Sequence, residues 1–152
     1  MKKLTKEFLG LAGEYAVATE LCKRDIYAQL TLGHYKSTDI IIEKDYNLFK
    51  IQVKAKQERE WPSISGISRE NDFLVLVDFQ KKDEKDRPDF YILDIKDWKK
   101  LIEDERKDFP ELRIDDKLRL TYPDGWKGLN IKPEHIEICK DKWEKITSKC
   151  QG

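Results

Sequence analysis

Polar and apolar residues alternate almost strictly through the stretch Leu48-Phe49-Lys50-Ile51-Gln52-Val53-Lys54-Ala55-Lys56. Successive side chains of a β-strand point to opposite faces, so this alternation predicts a strand with one apolar and one polar face. The apolar face carries Phe49, Ile51, Val53 and Ala55, and the polar face carries Lys50, Gln52, Lys54 and Lys56. Gln52 and Lys54 are therefore expected to project side by side, roughly 7 Å apart. The same pattern is typical of an antiparallel strand with one solvated face, in which case these polar residues have no chemical role.

A second strand is predicted immediately before it, over residues 38–43, where a run of isoleucines follows Asp39. The turn-like residues Lys44-Asp45-Tyr46-Asn47 separate the two strands and predict a hairpin. Such a hairpin brings Asp39 beside Gln52 and Lys54. An acid, an amide and a lysine gathered at one edge of a sheet favour a functional site over a plain solvated face.

The remaining segments predict an α/β (α+β) fold in which a mixed β-sheet is flanked by helices, in the order αβββ-loop-ββα plus a C-terminal helix. Thr5 is the expected N-cap of the first helix. The predicted elements are a helix over 5–23, strands over 27–32, 72–79 and 90–93, a loop over 61–69, a helix over 95–103 and a last helix that begins at Pro133. A chain of 152 residues fits one domain, with a core at about 5–93 and a C-terminal extension over 94–152.

Composition narrows the classes of function. Charged residues make up 39% of the chain, but 30 Lys plus Arg balance 30 Asp plus Glu, which excludes a wholly basic DNA-coating protein and leaves room for a local basic cleft. No apolar run is long enough to span a membrane and no signal peptide is evident, so a soluble protein with a cytoplasmic location and no membrane partner is expected. The three cysteines have no C-x-x-C spacing, so reduced thiols are expected rather than a zinc site.

Glu14 is unusual because it lies within the apolar stripe of the first predicted helix. Residues three, four and seven positions away share its helix face. They are Gly10, Leu11, Val17, Ala18 and Leu21. A buried carboxylate without a partner is costly, so Glu14 is expected to meet a cation, a metal ion or donors from the sheet. The alternative is that its side chain extends to the edge of the helix and reaches water.

Together these residues suit the hydrolysis of phosphodiester bonds. Asp39, the side-chain oxygen of Gln52 and the backbone carbonyl of Val53 are hard oxygen ligands of the kind that Mg²⁺ prefers. Lys54 is placed to orient or deprotonate a water, or to neutralise charge that develops on the phosphorus. Glu14 completes the ligand shell, directly or through a water.

At these residues the sequence resembles the PD-(D/E)XK nuclease superfamily, with the pattern Glu14, Asp39 and Gln52-Val53-Lys54. The resemblance implies a restriction-endonuclease-like core and a single nuclease domain over 1–152. It also implies that Asp39 and Gln52 are metal-site residues, Lys54 the catalytic lysine and Glu14 an accessory acid. Two positions depart from the family pattern: Thr38 replaces the proline, and Gln52 replaces the second acid, which makes this a Q-x-K variant.

Within the superfamily, length and motif spacing are similar to those of the small homing endonucleases encoded in cyanobacterial group I introns. This resemblance implies a site-specific, Mg²⁺-dependent double-strand DNA endonuclease that acts as a homo-oligomer, with a dimer as the cutting unit and a tetramer as the assembly. Mn²⁺ is the expected substitute, and Ca²⁺ is expected to support binding without cleavage. The alternatives are a restriction or repair nuclease of the same fold, and a DNA-binding domain that has lost catalysis through Gln52.

Contacts with double-stranded DNA are expected from cations and hydroxyl groups near the polar strand face. The candidates are Lys50, Lys56, Ser63, Ser65 and Arg69, the last three from the loop over 61–69, which Trp61 and Ile64 alternatively only pin to the core. His34, just before Asp39, is a further candidate for a phosphate contact. The acidic segment over 103–116 is expected to face away from DNA.

Overall fold

The computed structural model describes residues 1–31 and 38–151, so His34 lies outside the described residues. The helices are α1 (Lys6–Cys22), α2 (Ile95–Asp108) and α3 (Glu144–Cys150). The strands are β1 (Gln29–Leu30), β2 (Ile40–Lys44), β3 (Asn47–Lys56), β4 (Trp61–Ile64), β5 (Asp72–Asp78), β6 (Asp89–Leu93), β7 (Arg113–Ile114), β8 (Leu120–Thr121) and β9 (Leu129–Ile131). Two 3₁₀ turns, Pro133–His135 and Glu137–Cys139, precede α3.

A five-stranded mixed sheet forms the centre of the fold. Its strand order is β1-β2-β3-β5-β6, and β3 with β5 form the parallel pair while the other neighbours are antiparallel. Helices flank this sheet, which is the restriction-endonuclease-like α+β arrangement that the sequence predicts. Two small ribbons, β4 with β9 and β7 with β8, stand apart from the main sheet.

Two hydrophobic cores lie on opposite faces of the sheet. The first joins α1 and α3 to the alternating apolar residues of β3, including Ile51 and Val53. The second joins α2, β4 and β9 to the other face of β5 through Leu74 and Leu76. Apolar residues on both faces of β5 are therefore buried, as expected for a strand covered on both sides.

Helix α1 rests on β3 through a close contact at Gly13. A Cβ built on Gly13 would lie 2.9 Å from the Cβ of Ala55, so only glycine permits this approach of the helix to the sheet. Val17 and Leu21, one and two turns further on, are fully buried. The predicted N-cap is confirmed, because the Thr5 side chain accepts a hydrogen bond from the backbone N–H of Phe8.

A buried carboxylate, that of Glu20, anchors the far end of α1, and no sequence pattern predicts it. The Glu20 side chain is only 5% exposed and accepts hydrogen bonds from Arg24 at 2.7 Å, from Arg87 at 2.9 Å and from Lys23 at 3.1 Å. Arg87 also pairs with Asp141, so this network ties α1 to the charged hairpin before β6 and to the segment before α3.

Four predicted elements differ from the structure, and the first is the strand predicted over 27–32, of which only Gln29–Leu30 is strand among the described residues. Residues 61–64 form strand β4 rather than loop, because Trp61 is fully buried and its indole N–H donates to the carbonyl of Val77. The last helix does not begin at Pro133, since Asp141 adopts a φ of 52° that an α-helix cannot contain. Helix α2 continues to Asp108, five residues beyond its predicted end. Among the described residues, no helix is both long and apolar enough to cross a membrane.

Candidate active site

Asp39 lies at the point where strand β2 begins, opposite the middle of β3. Its backbone N–H donates to the carbonyl of Ile51 at 3.0 Å, and its carboxylate Oδ2 accepts the backbone N–H of Val53 at 2.7 Å. Because the β2 ladder starts only at Ile40, the carboxylate takes the place that a strand carbonyl would otherwise fill. The predicted hairpin is confirmed, and it fixes Asp39 against β3.

The backbone of Val53 adds a second oxygen at the same place. The N–H and the C=O of one strand residue point to the same side of the strand. Since the Val53 N–H meets Asp39, its carbonyl oxygen also faces the region beyond the start of β2. A carboxylate and a main-chain carbonyl are thus directed to the same edge of β3.

Glu14 comes to this edge from α1. Burial, followed by the charge and hydrogen bonding of Asp39, raises the pKa of the Glu14 carboxyl from 4.5 to about 7, and the charge of Lys54 opposes the rise. The charges of Asp39 and Lys54 thus act on Glu14 with opposite signs. Its predicted apolar stripe needs correction at one position, because Leu11 is 39% exposed, whereas Val17 and Leu21 are buried.

Gln52 lies between Ile51, whose carbonyl accepts the Asp39 N–H, and Val53, whose N–H donates to the Asp39 carboxylate. Its side chain is 8% exposed, and its Oε1 atom is buried without a hydrogen-bond partner among the described residues. Leaving such an acceptor unpaired costs on the order of 1–3 kcal/mol. The amide oxygen is therefore available for a cation or a donor that the site receives from outside.

These oxygen atoms form a donor set that fits Mg²⁺. The set comprises the carboxylates of Asp39 and Glu14, the orphaned Oε1 of Gln52 and the carbonyl of Val53. Hard oxygen ligands of this kind suit a cation that retains several waters. In residues 1–31 and 38–151, no three His, Cys, Asp or Glu side chains are grouped so that they could hold a metal ion by themselves.

The lysines of β3 occupy contrasting environments. Lys54 is partly buried near Glu14 and makes no ion pair in direct contact with any described residue. Lys56 is 3% exposed, and its Nζ atom binds the Asp78 carboxylate at 2.7 Å beneath the Trp61 ring. The prediction that Lys56 contacts DNA is therefore wrong, because its ammonium group is already enclosed and neutralised.

A groove of about 610 Å³ opens on the polar face of β3 beside this cluster. Of the residues predicted from sequence, it is lined by Lys50, Gln52, Ser65 and Arg69. Ser63 does not line it; this residue is exposed in β4, and its N–H donates to Asn130. Polar residues and cations thus surround the approach to Gln52.

Another part of the groove lining is not predicted by the sequence. Asp116, Lys117 and Arg119, from the turn between β7 and β8, line the groove together with the residues of β3. Asp116 belongs to the acidic segment that is expected to face away from DNA, and it lines the same groove as Lys50 and Arg69. No local pattern signals this placement, because more than sixty residues separate the turn from Gln52 in the sequence.

No protein-family model matches the chain, and no curated protein matches it. A solved structure described as that of a bacterial homing endonuclease, I-Ssp6803I, is similar to 60% of this chain and 70% of its own, with a TM-score of 0.43 and 18% identity. Similarity at this level bears only loosely on the fold and does not assign an activity.

Proposed function

We propose that the protein is a Mg²⁺-dependent endonuclease that hydrolyses phosphodiester bonds of double-stranded DNA. One observation carries the proposal: two carboxylates and a lysine converge at the edge of β3, next to a buried amide oxygen that has no partner among the described residues. This set of acceptors is incompletely satisfied: the Asp39 carboxylate accepts the Val53 N–H, but the Gln52 amide oxygen has no partner among the described residues. A divalent cation and a phosphodiester would satisfy it.

In this proposal Asp39, Gln52 and the carbonyl of Val53 hold Mg²⁺, with Glu14 as a further ligand, directly or through a water. The bound ion would supply Lewis-acid polarisation of a phosphoryl oxygen and a more acidic water. Mn²⁺ is expected to replace it, and Ca²⁺ is expected to support DNA binding without cleavage. The hydrogen bond from Val53 to Asp39 holds the carboxylate in a fixed orientation before the ion arrives.

Lys54 supplies the positive charge of the site. It lies near Glu14 and no described acid neutralises it by direct contact, so its ammonium group can orient the attacking water or offset charge developing on the phosphoryl oxygens. Lys50, Ser65 and Arg69 line the adjoining groove and are proposed to hold the DNA strand. Ser63 is a more distant contact, because it lies outside the groove.

The finer assignment is a site-specific homing endonuclease, encoded in a group I intron, that acts as a homo-oligomer. One active site per chain and two strands per duplex require two copies for a double-strand cut, and this favours a roughly palindromic target. The cutting unit is then a dimer, within a tetramer. A restriction or repair nuclease of the same fold would use the same chemistry on a short, strict target.

A catalytically degenerate DNA-binding domain is the second candidate, and one observation favours it. The position of the second acid is occupied by Gln52, so the described site contains two acidic side chains and not three. Such a domain would bind DNA without metal-dependent turnover. Metal-dependent turnover therefore separates the two candidates, whereas metal binding tests the ligand set that the nuclease requires.

Titration with Mn²⁺ by calorimetry tests the metal site directly. The wild-type protein is expected to bind one or more ions, Asp39→Asn to lose at least about tenfold in affinity, and Gln52→Glu to gain about tenfold, because each change alters one unit of ligand charge. Asp45→Asn, at the exposed hairpin turn, makes the same chemical change away from the site. Equal affinities in wild type and Asp39→Asn would contradict the assigned ligand set.

The pH dependence of stability without metal tests the Glu14 environment. The folded-state pKa of about 7 lies above the ordinary value of 4.5, so the folded protein holds an extra proton between these values and loses stability as pH rises through this window. In EDTA, Glu14→Gln is expected to abolish this decline and to exceed wild-type stability at pH 8 by on the order of 1–3 kcal/mol. Urea unfolding at pH 5 and pH 8 measures the difference. Parallel stability profiles for wild type and Glu14→Gln would show that Glu14 is not protonated near neutral pH.

A further inference from the structure

The turn between β7 and β8 lines the groove beside Gln52 although it comes from the C-terminal extension. Asp115 organises this turn. Its Oδ1 accepts the backbone N–H groups of Lys117 and Arg119 at 2.9 Å each, and its Oδ2 accepts the side-chain Nε of Arg119 at 2.8 Å. The carbonyl of Leu118 accepts the indole N–H of Trp98, which anchors the turn to α2. The backbone of the turn is therefore held in place before any ligand binds.

The charges that line the groove favour a polyanion. Four lining side chains are cations, Lys50, Arg69, Lys117 and Arg119, and two are carboxylates, Asp72 and Asp116. Asp72 lies close to Arg69 and Lys50. Burial raises the pKa of its carboxyl, and the positive charges of these two residues partly offset that rise. Lys117 and Arg119 add two further cations to the lining of the same groove.

Lys117 and Arg119 present unused donors in this lining. Lys117 is exposed and forms no direct ion pair with a described residue. Arg119 donates its Nε to Asp115, so the carboxylate fixes the guanidinium plane and leaves the two Nη nitrogens for another acceptor. A guanidinium held in this way is suited to the oxygen atoms of a phosphate.

Gln52 belongs both to the groove lining and to the proposed set of metal ligands. The groove therefore adjoins the proposed cleavage site. Lys50 and Gln52 are neighbours on the polar face of β3, roughly 7 Å apart along the strand. Gln52 is more than nine-tenths buried and its Oε1 has no partner in the described part of the chain. A DNA strand with one phosphate at Gln52 therefore continues into the groove.

We propose that the turn from Asp115 to Arg119 is a second DNA-binding element. In it, Lys117 and Arg119 contact the phosphodiester backbone of the DNA strand that is cut, close to the cleaved bond. This inference rests on the proposed function and adds two residues from outside the nuclease core. It makes the C-terminal extension a part of the DNA-binding surface.

Salt-dependent binding tests the inference. A short fluorescein-labelled duplex of mixed sequence is titrated with protein in Ca²⁺ at several salt concentrations, for wild type, Lys117→Ala and Arg119→Ala. Each variant is expected to bind about tenfold more weakly at low salt and to reduce the slope of log K against log salt by about 1, since one phosphate contact is lost. Lys99→Ala removes an exposed lysine of α2 that does not line the groove, and it is expected to keep the wild-type slope.

The possible outcomes distinguish a failure of the role proposed for the turn from a failure of the proposed nuclease function. Wild-type binding with a slope that neither Lys117→Ala nor Arg119→Ala changes would overturn the role of the turn and leave the proposed nuclease intact. Absence of wild-type binding would overturn the proposed function and this inference together. Lys117→Ala keeps the test decisive even if Arg119→Ala perturbs the turn, because no hydrogen bond of the Lys117 side chain holds the turn together.

Discussion

Asp39→Asn is expected to reduce Mg²⁺-dependent cleavage of a duplex target by about 10²–10³-fold while leaving the fold intact. The substitution removes one unit of negative charge from the proposed ligand set. It preserves an oxygen that can accept the Val53 N–H, so the hydrogen bond that fixes the edge of β3 is retained. The loss therefore reports on the ligand charge and not on the strand geometry.

Single-turnover cleavage of a selected target, with circular dichroism and thermal melting as folding checks, measures this effect. Lys54→Ala is expected to lose activity on a similar scale, because it removes the cation nearest to Glu14. Asp45→Asn is the matched control at the other end of the hairpin, and it is expected to cut at the wild-type rate. Full activity in Asp39→Asn would exclude the proposed catalytic site.

Glu20→Gln is expected to have the largest effect on stability, a loss of about 2–3 kcal/mol in the free energy of unfolding. The buried carboxylate of Glu20 accepts hydrogen bonds from Arg24, Arg87 and Lys23, and an amide presents one acceptor oxygen to the same donors. Arg24 and Arg87 also stack on Trp143 and Phe90, so the substitution weakens the contact between α1 and two other segments.

The same network makes the free energy of unfolding depend on pH in the acid range. Although burial opposes ionisation, hydrogen bonds from Arg87, Arg24 and Lys23 lower the pKa of Glu20 from 4.5 to about 2. Its contribution is therefore complete above pH 4.5 and is lost as pH falls through 2. Urea unfolding of wild type should show this decline, and Glu20→Gln should show a smaller one.

Asp104→Asn is the matched comparison for Glu20→Gln. Asp104 pairs with Lys100 and Lys107 on the exposed surface of α2, where an ion pair contributes at most about 1 kcal/mol. Equal losses in the two variants would show that the burial of Glu20 adds nothing to its ion pairs.

Local patterns in the sequence are sufficient for the centre of the fold. The alternation along residues 48–56 predicts β3 and its two faces, and the turn residues before it predict the hairpin that carries Asp39. Thr5 caps α1 as expected, because a cap depends only on neighbours within one helical turn. The grouping of Asp39 with β3, and the approach of Glu14 to it, follow from these local elements and their packing.

Contacts between distant segments explain what the sequence does not reveal. Alternation shows which residues share a face of β3, but not whether that face is covered, and so Lys56 was expected at the surface although Trp61 and Asp78 enclose it. The pairing of β4 with β9, and the placement of Lys117 across the groove, likewise join segments far apart in the chain. In the sequence, nothing distinguishes Glu20 from an exposed helical glutamate, because its partner Arg87 lies far away in the chain.

Selection from a randomised duplex library tests the central claim most directly, because it does not require the target to be known. Complexes are captured in Ca²⁺ and Mg²⁺ is then added, with wild type, Asp39→Asn and Asp45→Asn run in parallel. We expect one enriched, partly palindromic site, which wild type and Asp45→Asn cut and which Asp39→Asn binds but does not cut. A site that wild-type protein binds and never cuts would contradict the nuclease proposal and identify a DNA-binding domain without catalysis.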